Sequence, residues 1–134
     1  MDIQKEFLAP GTRFAVIGAT TNEEKYGYRV LKDLHSGGYK VVGVNPHYSD
    51  IDGIAVYPTL ADLPEKPDVA VFVVPPAVGL KVLDELKSAG VTKVWFQPGA
   101  DSDAVRQRIT ELGLIGMADG SCIMVARRTL QPRN

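Results

Sequence analysis

Apolar positions along the chain fall into two alternating patterns. Residues 14–17, 41–44 and 69–74 are short aliphatic or β-branched runs, apolar on both faces, without the period of two that a half-solvated strand shows. Residues 93–96 follow the same style, and residues 114–118 make a weaker fifth run. A strand that is apolar on both faces needs a helix on each side, so these runs read as a parallel sheet. The stretches between them carry helical spacing. In residues 27–36 the side chains of Tyr28, Leu31 and Leu34, with Val30 beside them, form one stripe, and Gly37-Gly38 stops it. In residues 77–89 the stripe is Val78, Val82, Leu83 and Leu86; Pro76 sits where a first-turn proline is tolerated and Gly90 where a C-cap is expected. In residues 101–112 it is Ala104, Val105, Ile109 and Leu112, with Asp101, Ser102 or Asp103 as caps and Gly113 as terminator.

The predicted order is β-α-β, an irregular linker over residues 46–67, then β-α-β-α-β. A short helix near residues 59–63, capped by Thr59, serves as a crossover within the linker. Alternation of this kind with right-handed crossovers predicts an α/β fold: a doubly wound, five-stranded parallel sheet in the order 3-2-1-4-5. Its ligand crevice is expected at the C-terminal ends of the first and fourth strands. With 134 residues the chain is read as one domain, residues 1–10 and 131–134 peripheral and the last four frayed.

Composition narrows the ligand. The chain has 15 basic and 16 acidic side chains, a net charge of −1, which excludes nucleic acid held through a general positive field. Any anion must therefore be held by a few local groups. The single cysteine, Cys122, makes no intramolecular disulfide and favours a reducing compartment. No apolar segment is long enough to cross a membrane and no secretory leader is apparent, so the expected location is cytoplasmic.

Four turns share the carboxyl edge of this sheet. After the first strand, Gly18-Ala19-Thr20 lets backbone approach a phosphate, and the helix that follows offers free N–H groups. A GxGxxG fingerprint would need glycines where Thr20 and Glu23 stand, so a tight turn without a ligand fits this feature equally well. After the second strand comes Asn45-Pro46-His47-Tyr48. NAD sites place an acid here for the ribose hydroxyls, and Asn45 disfavours them. His47 and Tyr48 read either as base or phosphate contacts or as solvated surface. The third turn, Val74-Pro75-Pro76, makes a rigid apolar wall; the fourth, Gln97-Pro98-Gly99, adds an amide and room for close approach. Catalytic sets are missing: the two histidines are His35 and His47, no GxSxG, GxxxxGK[ST] or HExxH motif occurs, Asp101 and Asp103 read as helix caps, and Cys122 as a small buried residue. The residues favour a binding module with no catalytic or metal-ligating residues.

Together, Gly18, Tyr28-Arg29-Val30, Val44-Asn45-Pro46, the run from Tyr57 to Pro64, Trp95-Phe96-Gln97-Pro98-Gly99 and Cys122-Ile123-Met124-Val125 resemble the small stand-alone CoA-binding proteins. These are similar to the N-terminal CoA-binding domain of the succinyl-CoA synthetase alpha subunit. The resemblance covers roughly residues 10–130. It implies a Rossmann-like fold with coenzyme A or an acyl-CoA lying across the carboxyl edge. Carried over, Gly18, Ala19 and Thr20 meet the diphosphate, Asn45 and Pro46 the ribose and adenine, and Val74 and Pro75 the third turn. Lys25, Tyr26, Arg29, His47, Gln97 and Gly99 complete the expected contacts. The synthetase's catalytic histidine belongs to a second domain, so the implied function is non-catalytic binding. The chain departs from the pattern where arginines are frequent, with Lys25, His47 and Val74 in their places, and Ala126-Arg127 replaces a usual Glu-His. The alternatives are an NAD(H)- or nucleotide-responsive regulator using the same crevice and an interaction module with a vestigial site. Self-association through a strip around Trp95 or the segment after Cys122 is a further expectation.

Overall fold

The structure is a computed structural model and describes residues 2–130. The frayed tail expected at residues 131–134 lies outside the described residues.

The apolar runs become parallel strands β1 (Arg13–Ile17), β2 (Lys40–Val44), β5 (Val69–Phe72), β6 (Lys93–Phe96) and β7 (Ile115–Met117). The striped segments become α2 (Tyr26–Ser36), α3 (Pro76–Ala89) and α4 (Asp103–Glu111). Pro76 opens α3, and Gly90 closes it in the left-handed conformation, φ +74°. Ser102 is the cap of α4, accepting from the Val105 N–H at 3.1 Å. The crossover turn is a 3₁₀ helix, η1 (Leu60–Asp62), held by a capping box between Thr59 and Asp62.

The sheet has seven strands, not five. The linker contributes a hairpin, β3 (Asp50–Ile51) and β4 (Ile54–Tyr57), and the order is β3-β4-β2-β1-β5-β6-β7. Strand β4 runs parallel to β2, and β3 antiparallel to β4. The strand at residues 69–74, expected outside the second strand, pairs instead with β1, Phe14 opposite Val69 through Ile17 opposite Phe72. Strand β4 takes the outer place. Its residues alternate between buried and exposed, as an outer strand requires, whereas the 69–72 run is buried throughout and belongs at the centre. The topological switch therefore lies between β1 and β5 rather than between β1 and the 93–96 strand.

Two further helices flank the sheet: α1 (Ile3–Phe7) and α5 (Ile123–Leu130). Residues 1–10 were expected to be peripheral, yet Phe7 and Leu8 are buried. Phe7 lies 6.4 Å from Trp95, ring centroid to centroid. Strand residues alternate between two cores. Phe14, Val16, Val69, Val71 and Trp95 pack under α1, α2 and α5; Ala15, Ile17, Ala70, Phe72 and Phe96 pack under α3, α4 and η1. Phe72 and Phe96 stack at 4.2 Å. Trp95 is fully buried and donates its indole N–H to the Ser121 carbonyl, so it forms no surface strip; the segment after Cys122 does leave Val125 and Leu130 exposed on α5. No helix among the described residues is long and apolar enough to cross a membrane.

Candidate CoA site at the carboxyl edge of the sheet

Strand β1 ends at the switch, and the chain turns there on Gly18. With φ at +99°, and with a Cβ destined to lie 2.6 Å from Val74 Cγ1, this position admits only glycine without strain. The Gly18 N–H donates to the Val44 carbonyl and the Val73 N–H to the Ile17 carbonyl, so the edge is tied on both sides of β1. Helix α2 returns close above the turn. A Cβ on Gly27 would sit 2.3 Å from the Gly18 carbonyl oxygen, so the helix start rests directly on the strand end. Gly27 thus provides close helix-to-strand contact nine residues after Gly18, a spacing outside the GxGxxG pattern.

The start of α2 is open. Lys25 occupies the N-cap position without a side-chain cap, and the first turn carries no acid. The N–H groups of Tyr28 and Arg29 go to the Lys25 carbonyl, whereas those of Tyr26 and Gly27 have no acceptor among the described residues. These donors and the positive end of the helix face a cleft of about 500 Å³ lined by Gly18, Thr20, Glu24, Lys25, Tyr26, Gly27, Asn45 and Val73–Pro75. A second cleft of about 260 Å³ joins it at Gly18, Asn45 and Val74. Its walls are Ile17, Val44, Pro46, Pro58, Leu60, Val78 and Val82, with Asn45, Thr59 and Glu85 as polar members. Val78 is 45% exposed, an apolar side chain lining an open slot. Grooves of about 620 Å³ between η1 and α3 and about 860 Å³ between α2 and α5 are larger, but neither receives an open helix start, and Asp84 and Arg127 within them are paired with Arg108 and Asp33.

Asn45 fixes the loops rather than presenting a free amide. Its Nδ2 donates to the Ala19 carbonyl at 2.9 Å and its Oδ1 accepts from the His47 N–H at 2.9 Å. Tyr48 braces the first loop from the other side, its hydroxyl meeting Thr20 Oγ1 at 3.3 Å and accepting from Thr21 Oγ1 at 3.4 Å. These bonds from Thr20 and Thr21, with the Lys25 charge nearby, hold the Tyr48 phenol below its ordinary range.

The structure brings Gly18, Thr20, Lys25, Tyr26, Asn45, Pro46, Val74 and Pro75 to the joined clefts. Ala19 is adjacent, but its side chain is buried in the core. Four expected residues lie elsewhere. Arg29 faces the groove between α2 and α5 and donates to the Glu23 carbonyl. His47 is exposed outside the cleft lining. Gln97 is fully buried: its Oε1 accepts from the Ile123 N–H at 2.7 Å and its Nε2 donates to Cys122 Sγ, so it supports the start of α5. Gly99 begins the turn into α4, accepting no place in either cleft. The cleft residues missed are Glu24, Gly27, Pro58, Thr59, Leu60, Val78, Val82 and Glu85, with Ile17, Val44 and Val73 at the strand ends. The spacing of Val78, Val82 and Glu85, four and three apart, is a single helical stripe and was the available signal.

The CoA binding domain profile matches residues 12–128, nearly the whole chain. The chain belongs to the CoA binding domain family. Among curated relatives of this domain, an ADP-forming acetate-CoA ligase of Methanocaldococcus jannaschii is 37% identical over 90 residues, 67% of this chain and 13% of the ligase. The chain thus spans a small part of the ligases it matches. Among solved structures, a conserved hypothetical protein from Pyrococcus furiosus superposes with a TM-score of 0.80 at 46% identity, covering 85% of this chain and 97% of that one. A hypothetical protein from Pyrococcus horikoshii gives 0.88 at 30% identity, covering 96% and 89%.

Proposed function

We propose that this protein binds coenzyme A or an acyl-CoA across the two joined clefts and does not transform it. The observation that carries the reading is the open start of α2, facing a cleft that continues into an apolar slot. The diphosphate is assigned to the Tyr26 and Gly27 N–H groups and the Gly18 turn, with Lys25 and the Thr20 hydroxyl beside them. The adenine is assigned to the slot, flat between Pro46, Pro58 and Leu60 on one side and Val78 and Val82 on the other. The ribose, between those two parts, is assigned to the junction at Val74. The commitment of Asn45 to two backbone groups supports this over an NAD-type site, where the residue after β2 accepts the ribose hydroxyls. The non-catalytic assignment is supported by where the reactive side chains sit: Cys122 is held by Gln97 at the start of α5, His35 is near the end of α2, and His47 is outside the clefts.

Titration calorimetry of the full chain with coenzyme A and acetyl-CoA tests the reading. Saturable heat, with either thioester or free thiol recovered unchanged, is the expected result. Absence of heat at near-millimolar protein, or turnover of acetyl-CoA, overturns it.

A further inference from the structure

The two joined clefts differ in the charge they hold. Lys25 lies at the start of α2, in the larger cleft, beside the carboxylate of Glu24. The apolar slot holds one ionisable side chain, Glu85, on the face of α3 that also presents Val78 and Val82. Among the described residues no cation lies within ion-pair distance of Glu85, although its neighbour Asp84 is held by Arg108 at 2.7 Å. Arg29 faces another groove, and Lys66, which lines the groove between η1 and α3 together with Glu85, lays its stem against Gly90 without forming an ion pair with Glu85.

Coenzyme A is anionic in two places, the diphosphate and a phosphomonoester on the 3′ carbon of the adenosine ribose. The monoester is dianionic or nearly so at neutral pH and lies on the base side of the molecule. The diphosphate end of this site sets a cation beside the Glu24 carboxylate and adds two backbone donors. The base end supplies a carboxylate. We infer that the site takes adenosine 5′-diphosphate esters lacking a 3′-phosphate at least as well as coenzyme A itself, and that Glu85 sets this preference. The inference rests on the assignment of diphosphate and adenine given above, and it names the ligand class of that same site.

The test is calorimetric titration of the full chain and of Glu85→Gln with coenzyme A and with 3′-dephospho-coenzyme A. In the unmodified protein the dephospho form binds as tightly or more tightly. In Glu85→Gln, the affinity for coenzyme A relative to that for the dephospho form rises several-fold, because only the monoester carries the charge that the lost carboxylate opposed. Coenzyme A binding threefold or more tightly than the dephospho form in the unmodified protein overturns the inference and leaves the CoA reading intact. An affinity ratio equal in both proteins also overturns it. Failure of both ligands to bind overturns the proposed function as well.

Discussion

Strands β1 and β6 end on the same edge of the sheet, and each passes to a helix through a turn whose glycine has positive φ, Gly18 at +99° and Gly99 at +90°. The turns are then finished in opposite ways. After β6 the polar groups are spent on the fold: Gln97 is buried against the Ile123 N–H, Gly99 donates to Asp101, Ser102 caps α4, and Asp103 sits in its first turn. After β1 the helix start has a lysine at the cap position, no acid in the first turn and two N–H groups with no acceptor among the described residues. A missing cap costs about 1 kcal/mol. On the proposed reading, the helix start left open above a cleft keeps those donors for the ligand.

The largest test of this contrast is Gly27→Ala. Its Cβ would stand 2.3 Å from the Gly18 carbonyl oxygen, backbone against backbone, so α2 must lift from the strand end. We expect a loss of about 3 kcal/mol in denaturant unfolding, typical of overpacking that no side chain can relieve, together with weaker CoA binding. An unfolding midpoint like that of the parent would show that the open start does not depend on this close approach. The closed turn is tested by Gln97→Ala, which leaves the buried Ile123 N–H without its acceptor. The expected cost is about 2 kcal/mol with CoA affinity unchanged. A loss of affinity as large as the loss of stability would erase the distinction between the turns.

The central fold was legible because residues 14–17, 41–44, 69–72 and 93–96 are apolar on both faces, and only a sheet covered twice has that requirement. The hairpin was not. Ile54–Tyr57 alternates over just four residues inside a stretch broken by Gly53 and Pro58, so its signal was that of a loop, and assigning the outer position to residues 69–74 followed from missing it. Helix α5 was hidden by its adjacent Arg127 and Arg128. Arg127 is nonetheless a packing residue, its guanidinium held at 2.7 Å by the half-buried Asp33. At the site, strand-end position told which residues reach the edge but not which way each points. Asn45 and Gln97 are both amides directly after a strand, and both prove to be braces, one beside the cleft and one beneath α5. The apolar slot was visible only as the Val78, Val82, Glu85 stripe, which reads as ordinary helix amphipathicity until η1 is placed opposite it.

The smallest effect on stability carries the sharpest consequence for the comparison. Making the α2 start resemble the α4 start, by Lys25→Asp, supplies a cap acceptor for the N–H groups of the first turn and an anion at the positive end of the helix. Both changes favour the folded state, by about 0.5–1 kcal/mol together. The same change removes the one cation of the larger cleft, places a negative charge beside the diphosphate position and occupies the donors assigned to it. The protein should therefore melt at a higher temperature and bind CoA at least tenfold more weakly. Ser102→Ala is the mirror experiment: it should lose about 1 kcal/mol and keep its affinity. Stability and binding then move in opposite directions at α2 and independently at α4, which is the behaviour expected if the open start is reserved for the ligand. If Lys25→Asp is stabilised and still binds CoA like the parent, the N–H groups of Tyr26 and Gly27 are not the diphosphate donors, and the contrast between the two turns carries no functional meaning.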